Sequence, residues 1–335
     1  MRIVYIVNHH PEAYGGKVIV ENIKSVFQKK GIQTIIVDNL EGVPIDSFVI
    51  PYGTEASMEM IHKGYSTNIA YLADAETLGY INKIKFYAKN LNVFHYDFFY
   101  SIYCLIRDYR IESNILHHFK KAVLVSETDI NYFKKRSFND VIYYCMPNGA
   151  NFCEVEPKTN SEIIRLGILS HWWHPTLVEE NSWFIKSYFR KYTKLHHNVK
   201  LCLAGRGSFI EQFRDLPNVE IMGEVGDLND FFSNIDIFVA ANPKGCGILN
   251  RVLDAFAYKT CVLGYKNAFT GFRYMKESYV EFDDYDSFEK ALDELIDNRE
   301  KREILTMNAY NEIIQNNDWE KNILNFMHFI FEENV

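Results

Sequence analysis

Short, continuously apolar runs alternate with segments of helical periodicity along almost the whole chain. In the first half the runs lie at residues 2–7, 32–37, 47–52, 68–73, 91–96, 121–126 and 141–145. In the second half they read IRLGILS, VKLCLAG, VEIMG, IDIFVAA and CVLGY, again separated by helical segments. Strands that are apolar on both faces and joined by helices belong to parallel sheets covered on both sides. The pattern predicts an α/β protein with two Rossmann-like domains.

The domain boundaries follow from length and linker composition. A chain of 335 residues exceeds what one hydrophobic core usually organises. Residues 146–162 contain two prolines and an Asn-Gly pair without an apolar period, which is typical of a linker. We expect an N-terminal domain at 1–150, a linker at 151–162, a C-terminal domain at 163–318, and a last helix at 319–335 that packs back on the N-terminal domain. Because ligands bind at the carboxyl ends of such strands, we expect the two domains to face each other across a cleft.

The charge distribution excludes one class of partner. Residues 1–150 hold 16 Lys and Arg against 15 Asp and Glu, whereas the remainder holds 20 against 29. Nucleic-acid binding needs clustered cations, so the acidic half argues against a nucleic-acid partner. Six scattered cysteines without a C-x-x-C pair suit a reducing compartment. No apolar run approaches the roughly 18 residues of a membrane span, and we therefore expect a cytoplasmic protein.

The stretch GCGILNRVLDAFA at residues 245–257 combines a glycine loop with the start of an amphipathic helix. A diphosphate at this helix start would gain free backbone amides, the helix dipole and the guanidinium of Arg251. The carboxylate of Asp254 is then placed to accept hydrogen bonds from a ribose diol. The stretch therefore predicts a nucleotide-sugar site. The alternative is a glycine-initiated crossover helix with a solvated Arg–Asp pair.

A second glycine-containing loop, NHHPEAYGG, follows the first strand at residues 8–16. Gly15 and Gly16 precede a helix that we expect to begin near Lys17, so that backbone amides can approach an anion or a sugar closely. A tight turn is the alternative. The loop has no G-x-G-x-x-G pattern, and a dinucleotide site is therefore not predicted.

Further polar residues stand directly after predicted strands. Asp74 is a candidate for contact with an acceptor or a donor sugar, with the N-cap of the next helix as the alternative. His95 ends the strand LNVFH and is a candidate for the cleft, with a structural or solvated histidine as the alternative. HWWH at 171–174 lacks a carboxylate or cysteine at ligand spacing, so no metal is expected. DDYD at 283–286 predicts a helix start.

Motifs along the chain resemble those of the two-domain GT-B glycosyltransferases, specifically the retaining group 1 (family 4) type, and among these the bacterial sugar transferases of polysaccharide assembly. Such proteins carry a pattern similar to G-I-x-N-K-x-L-E-A-x-A, which reads GILNRVLDAFA at residues 247–257. Other similar stretches follow in family order: PEAYGG, YLADAETLGY, VLVSETD, MPNGAN, LCLAGRGS, VEIMGEVGDLNDFF and NDWE. They extend from the first strand to the last helix.

The resemblance implies a donor bound mainly by the C-terminal domain and an acceptor bound by the N-terminal domain. The residues expected at the donor diphosphate are Gly245, Gly247, Ile248, Asn250 and Arg251, with Arg206 as a second phosphate contact. Asp254 matches the carboxylate on the donor ribose. Glu224 and Val225 follow the strand where such enzymes seat the base. Gly15 and Gly16 match the N-terminal loop that faces the donor sugar or phosphate.

Retaining enzymes of this fold need no protein nucleophile, because the departing diphosphate can take the acceptor proton on the same face of the sugar. The protein then stabilises the charge that develops on the phosphate and fixes donor against acceptor. We expect the catalytic contacts to come from Arg251, Gly16, Asp74 and His95. The expected enzyme is a retaining hexosyltransferase that needs no cofactor and takes a UDP-sugar in preference to a GDP-sugar.

The chain departs from the family at one motif. Many members carry two glutamates separated by seven residues, whereas Cys246 stands eight positions before Asp254, itself the shorter acid. We interpret this as a variant of an active enzyme. A catalytically silent GT-B scaffold and a nucleotide-sugar epimerase on the same fold are the alternatives.

The acceptor is expected to be a glycan or a lipid-linked sugar. Residues 80–94, YINKIKFYAKNLNVF, interleave lysines with apolar side chains. This pattern is compatible with peripheral contact at the inner face of the membrane, and an ordinary solvated helix is the alternative.

Overall fold

The computed structural model describes residues 3–12, 14–90, 96–138, 140–153 and 162–331. The chain divides into two compact units. Unit 1 comprises Met1–Gly149, Cys246–Ile248 and Asn316–Val335, and unit 2 comprises Ala150–Gly245 and Leu249–Gln315. The sequence placed Cys246–Ile248 in the C-terminal domain, whereas the structure groups these three residues with unit 1. Most of the predicted linker, residues 154–161, lies outside the described residues.

Unit 1 contains six parallel strands, which coincide with apolar runs of the first half. Its strands are β1 (Ile3–Val7), β2 (Gln33–Val37), β3 (Phe48–Pro51), β4 (Ile69–Ala73), β5 (Lys121–Leu124) and β6 (Ile142–Cys145). They form two three-stranded sheets, β2-β1-β3 and β4-β5-β6, and a parallel bridge between Tyr52 and Tyr71 joins the two. The chain order reverses between β1 and β3, which makes this the topological switch point of the unit.

Helices cover both faces of this sheet. They are α1 (Tyr14–Lys29), α2 (Gly53–Lys63), α3 (Glu76–Lys89), α4 (Tyr96–His118), α5 (Glu127–Lys135) and the C-terminal α12 (Trp319–Phe331). The last helix packs on the first, with the rings of Phe27 and Phe326 stacked at 6.3 Å. The predicted strand at 91–96 lies outside the described residues, except for Tyr96, which begins α4.

The first helix begins earlier than the sequence suggested. It starts at Tyr14, so Gly15 and Gly16 lie in its first turn and not in a loop before it. Amides of a first helical turn have no intrahelical partner, so the backbone N–H groups of Gly15 and Gly16 are not used by the helix itself. Gly16 also makes room for an aromatic ring, because a Cβ at this position would lie 2.8 Å from Cε1 of Tyr52.

Unit 2 contains a six-stranded parallel sheet. Its strands are β7 (Ile164–Leu169), β8 (Val199–Ala204), β9 (Val219–Gly223), β10 (Ile237–Ala240), β11 (Cys261–Tyr265) and β12 (Val280–Phe282). The spatial order is β12-β11-β10-β7-β8-β9, the Rossmann order, with its switch point between β7 and β10. The strand β12 was not predicted, because its three residues form no recognisable run.

The helices of unit 2 are α6 (Pro175–Phe184), α7 (Arg190–Tyr192), α8 (Leu228–Phe232), α9 (Asn250–Ala257), α10 (Tyr285–Asp297) and α11 (Arg299–Asn316), and a π-helical segment, Ile185–Phe189, joins the first two. The predicted helix start at DDYD is confirmed. Asp284 is the N-cap of α10 and forms a capping box with Ser287.

Within the described ranges, every helix is either too short or too polar to reach across a lipid bilayer.

Candidate functional site

The guanidinium of Arg251 lies at the carboxyl end of β7. Its Nη1 donates hydrogen bonds to the carbonyl oxygen of Leu169 and to Oγ of Ser170, both at 3.3 Å. β7 borders the switch point of the unit 2 sheet, where open α/β sheets bind their ligands. Helix α9, which carries Arg251, follows β10 on the other side of the same point. The fold therefore places Arg251 where a ligand is expected.

Most of the hydrogen-bonding capacity of Arg251 remains unused. Among the described residues, its Nη2 and Nε have no acceptor and no carboxylate forms an ion pair with it. Burial lowers the pKa of Arg251, while the nearby carboxylates of Glu180 and Asp254 raise it. A guanidinium nevertheless stays protonated in proteins. The site thus holds a partly desolvated cation with spare donors, which is the arrangement that binds phosphate.

The start of α9 adds backbone donors. Its N-cap, Leu249, has no side-chain oxygen for the amides of the first turn. Asn250 and Arg251 are the first two residues of the helix, and Asp254 follows one turn later. Burial raises the pKa of Asp254 to about 7, and the charge of Arg251 opposes this shift. The Asp254 side chain accepts no hydrogen bond from a described residue, so it is available to hydroxyl groups of a ligand.

Polar residues that sequence reasoning missed complete the switch point. Oγ of Ser170 accepts a hydrogen bond from Asn181 at 2.8 Å as well as the one from Arg251. Buried Glu180 accepts one from Asn242 at 2.6 Å. Ser170 directly follows β7 and Asn242 is the second residue after β10, so the strand-end rule could have identified both. Glu180 lies within α6, where no sequence signal marked it.

Arg206 and Glu224 lie after β8 and β9 and are largely exposed. Nε of Arg206 is 4.0 Å from Oε1 of Glu224, with 74% and 67% of their side chains exposed. Such an exposed pair contributes little to stability, so Arg206 is free to reorient toward an anion. Val225, the other residue expected at the base, is half-buried.

The loop that carries Arg206 packs closely on the end of β7. Gly205 has φ +114°, and a Cβ there would lie 1.9 Å from the carbonyl oxygen of Ser170. Burial lowers the pKa of His171, and the charges of Arg251, His174 and Arg206 lower it further. The same neighbours make the surroundings of His171 electropositive.

The residues of the glycine loop before α9 are divided between the two units. Gly245 belongs to unit 2, where a Cβ would lie 2.5 Å from the carbonyl oxygen of Asn267. Gly247 and buried Ile248 belong to unit 1. The amide of Gly247 donates a hydrogen bond to the carboxylate of Asp129. The structure therefore differs from the expectation that this amide is free for a diphosphate.

Asp74 lies beside Gly247 at the end of β4. It is not a helix N-cap, because Ala75 holds that position for α3 without a side-chain hydrogen bond. Ala73 has φ +64°, and the amide of Asp74 donates to the carbonyl oxygen of Leu72 at 2.9 Å. A positive φ inside such a γ-turn is strained for a residue with a Cβ, and strain of this kind concentrates at functional sites. Burial, Asp129 and Glu76 raise the pKa of Asp74 to about 8.

A cavity of about 520 Å³ opens at the carboxyl ends of β1, β3 and β4 in unit 1. Its lining includes Asn8, Gly16, Tyr52, Asp74, Glu76 and Arg107. Two predicted residues, Gly16 and Asp74, thus meet in one cavity at the switch point of this unit. Gly15 is half-exposed in the first turn of α1. His95 lies outside the described residues.

Comparisons with known proteins find a matching family model and solved structures of similar fold. Residues 166–298 match the family model described as "Glycosyl transferases group 1". No curated protein matches the sequence significantly. Sucrose-phosphate synthase from Thermosynechococcus elongatus superposes with a TM-score of 0.71 at 11% identity, covering 98% of each chain. Anabaena HepE, solved with UDP and glucose, superposes with a TM-score of 0.65 at 12% identity, covering 98% of this chain and 99% of its own.

A third similar structure is that of TarM, with a TM-score of 0.64 and 14% identity over 88% of this chain. This chain spans only 57% of the length of TarM. At identities of 11–14%, these superpositions show similarity of fold alone. The protein therefore has the GT-B fold, with two Rossmann-like domains. The match at 166–298 confirms the predicted resemblance to the group 1 glycosyltransferases, and it includes Arg251 and Asp254.

Proposed function

We propose that this chain transfers a hexose-type sugar from a nucleoside diphosphate to a hydroxyl group of a glycan or lipid-linked acceptor. The observation that carries the proposal is the guanidinium of Arg251, which keeps unused donors at the switch point of the unit 2 sheet. The group 1 match supports sugar transfer as the reaction class, because it covers this switch point.

Unit 2 binds the donor in this proposal. Arg251, Ser170 and the first amides of α9 hold the diphosphate, and Asp254 accepts hydrogen bonds from the ribose. Arg206 swings onto the phosphates, while Glu224 and Val225 border the base. UDP is the favoured nucleotide over GDP, since HepE was solved with UDP and glucose and a Staphylococcus aureus TarM variant with UDP.

The reaction breaks the bond between the anomeric carbon and the phosphate oxygen and forms a bond from that carbon to the acceptor oxygen. The acceptor oxygen attacks from the face on which the phosphate departs and its proton passes to that phosphate, so no protein nucleophile is consumed and the anomeric configuration is retained. Arg251 stabilises the charge that builds on the leaving diphosphate. In unit 1, Asp74 and the backbone around Gly16 position the acceptor hydroxyl, and His95 remains a candidate for the same role.

Donor screening tests this function. We expect calorimetry to detect binding of UDP-sugars and weaker binding of GDP- and ADP-sugars. The thermal stability should rise in the same order, since a ligand that binds only the native state stabilises it. The anomeric proton signal of the product is expected to show retention by NMR. A silent scaffold would bind none of the donors. An epimerase would convert the donor sugar without any acceptor.

The cellular setting is also part of the proposal: assembly of a bacterial cell-surface polysaccharide at the cytoplasmic face of the membrane. The lysine pattern at 80–94 supports membrane contact less than expected, because Lys83 is only 8% exposed. Helix α4 instead presents Tyr96, Phe99 and Tyr103, which are 73%, 57% and 60% exposed. Aromatic side chains of this kind favour the lipid–water interface.

Flotation with vesicles tests this contact. We expect the protein to float with vesicles containing phosphatidylglycerol and the double variant Phe99→Ser/Tyr103→Ser to remain at the bottom. Ile45→Ser is the matched control, because Ile45 is 56% exposed but lies outside α4. Flotation of the double variant at the wild-type level would refute the assignment.

A further inference from the structure

The cavity of unit 1 contains both signs of charge, but the positive groups are all engaged. Nε and Nη2 of Arg107 donate to the two carboxylate oxygens of Asp108 at 2.5 and 2.9 Å. Nε2 of His10 lies 3.0 Å from Oε2 of Glu55. His9 makes the same contact with Glu59 at 3.0 Å. Each basic group of the described lining is therefore already paired with a carboxylate.

Two acidic groups of the cavity have no such partner. Among the described residues, neither Asp74 nor Glu76 forms an ion pair, and the only side-chain hydrogen bond to Glu76 comes from Oγ1 of Thr54 at 3.4 Å. Carboxylates that are partly removed from water need hydrogen-bond donors. Sugar hydroxyl groups are suitable donors, whereas a phosphate or carboxylate would add a like charge at any pH at which Asp74 and Glu76 are ionised.

Asn8 indicates independently that a ligand enters this cavity. It lines the cavity, is 3% exposed, and its Oδ1 accepts a hydrogen bond from the amide of His10 at 3.2 Å. Its Nδ2 has no hydrogen-bond partner among the described residues. A buried amide donor without an acceptor is costly, and a ligand oxygen would satisfy it.

We propose that this cavity binds an uncharged, polyhydroxylated sugar and excludes the same sugar when it carries a phosphate or a carboxylate, with Glu76 as the residue that sets the preference. The inference rests on the proposed function, in which unit 1 binds the acceptor. It further specifies that the part of the acceptor that enters the cavity carries no charge. A phosphate of a lipid-linked acceptor must then remain outside the cavity. Asn8 donates to a ring or hydroxyl oxygen, and Asp74 and Glu76 accept from hydroxyl groups.

Direct binding of matched saccharides tests the inference. The probes are glucose, glucose 6-phosphate and glucuronate, measured by ligand-observed NMR on the full chain. The measurements are made on the wild type and on Arg251→Ala, which removes the expected phosphate contact of unit 2. At about pH 8.5, where both carboxyl groups are largely ionised, we expect glucose to bind at least about tenfold more tightly than either anion, equal to about 1.4 kcal/mol. In Glu76→Gln the preference is expected to fall to about threefold or less.

Two controls keep the result specific. Glu300→Gln makes the same change of charge at an exposed residue of α11 in unit 2 and is expected to leave the preference unchanged. On the wild type, the preference for glucose over glucuronate is expected to shrink from about pH 8.5 to about pH 5.5. This range spans the raised pKa values of Asp74 and Glu76, about 8 and about 7, whereas glucuronate stays ionised.

Equal or tighter binding of the anions in Arg251→Ala would overturn the inference. An unchanged preference in both Glu76→Gln and the low-pH measurement would also overturn it. Binding of none of the three probes would remove the cavity as a saccharide site. Calorimetry with UDP on the same samples reports on unit 2 separately, so failure of the proposed donor function is distinguishable from failure of this inference.

Discussion

Gly247 lies directly against the carboxylate of Asp74. A Cβ at position 247 would be 1.8 Å from Oδ1 of Asp74, and the backbone of Gly247 has φ +60°. The amide of the same glycine donates to Asp129. One residue without a side chain therefore fits between two carboxylates and leaves the space that the Asp74 side chain occupies.

We expect Gly247→Ala to reduce both stability and activity. The left-handed backbone alone costs alanine about 1–2 kcal/mol, and the clash with Asp74 adds to this cost. Thermal unfolding and sugar-transfer assays measure the two effects. Gly42→Ala is the matched control, since Gly42 also has a positive φ, +74°, but a Cβ there would meet nothing within 4 Å. Equal losses in the two variants would show that contact with Asp74 is unimportant.

Arg251→Ala is expected to lower turnover by roughly a hundredfold while the fold survives. Removing one contact that stabilises developing charge typically costs about 3 kcal/mol of barrier. Arg251→Lys keeps the charge but loses the planar fork, so we expect intermediate activity. Turnover with the identified donor is the measurement, and circular dichroism checks folding. Arg214→Ala, at an exposed arginine paired with Glu211, is the control. Wild-type turnover of Arg251→Ala would refute the phosphate assignment.

Asp254→Asn is expected to weaken recognition of the ribose. If the carboxylate accepts hydrogen bonds from the diol, wild-type protein should bind UDP about tenfold more tightly than 2′-deoxy-UDP, because hydrogen bonds to charged groups contribute about 1.5–3 kcal/mol. The variant should bind both nucleotides with nearly equal, weaker affinity in calorimetry. Asp230→Asn, at an exposed residue of α8, serves as the control. A tenfold ribose preference that persists in Asp254→Asn would place the diol elsewhere.

The two parallel sheets could be predicted because each apolar run is long enough to show a strand buried on both faces. Arg251 and Asp254 could be placed because helical periodicity determines their spacing once the helix start is recognised. The partner of the Gly247 amide could not be predicted. Asp129 is distant from Gly247 in the sequence, and tertiary packing brings the two together. No local sequence pattern predicts such a contact. The lack of an ion pair at Glu76 among the described residues and the strained turn at Ala73 also depend on tertiary contacts.

The raised pKa of Asp74 makes stability depend on pH in a defined direction. The ordinary pKa of an aspartate side chain is 3.8, whereas the pKa of Asp74 in the folded chain is about 8. Between these values the folded state therefore binds more protons than the unfolded state. The free energy of unfolding must then fall as pH rises through this window, and the loss is complete only above pH 8. The contribution of Asp74 to the free energy of unfolding is therefore most favourable at the acidic end of the window, where its carboxyl group is protonated.

Asp74→Asn removes this titration, so we expect the variant to lose less stability than the wild type between about pH 5 and about pH 8.5. Chemical denaturation at several pH values measures the difference between the two proteins, which cancels most other titrating groups. Asp230→Asn is again the control and should follow the wild type. Parallel pH profiles for wild type and Asp74→Asn would mean that Asp74 is already ionised in the native protein near neutral pH. Its proximity to Asp129 and Glu76 would then have to be offset by solvent in the cavity.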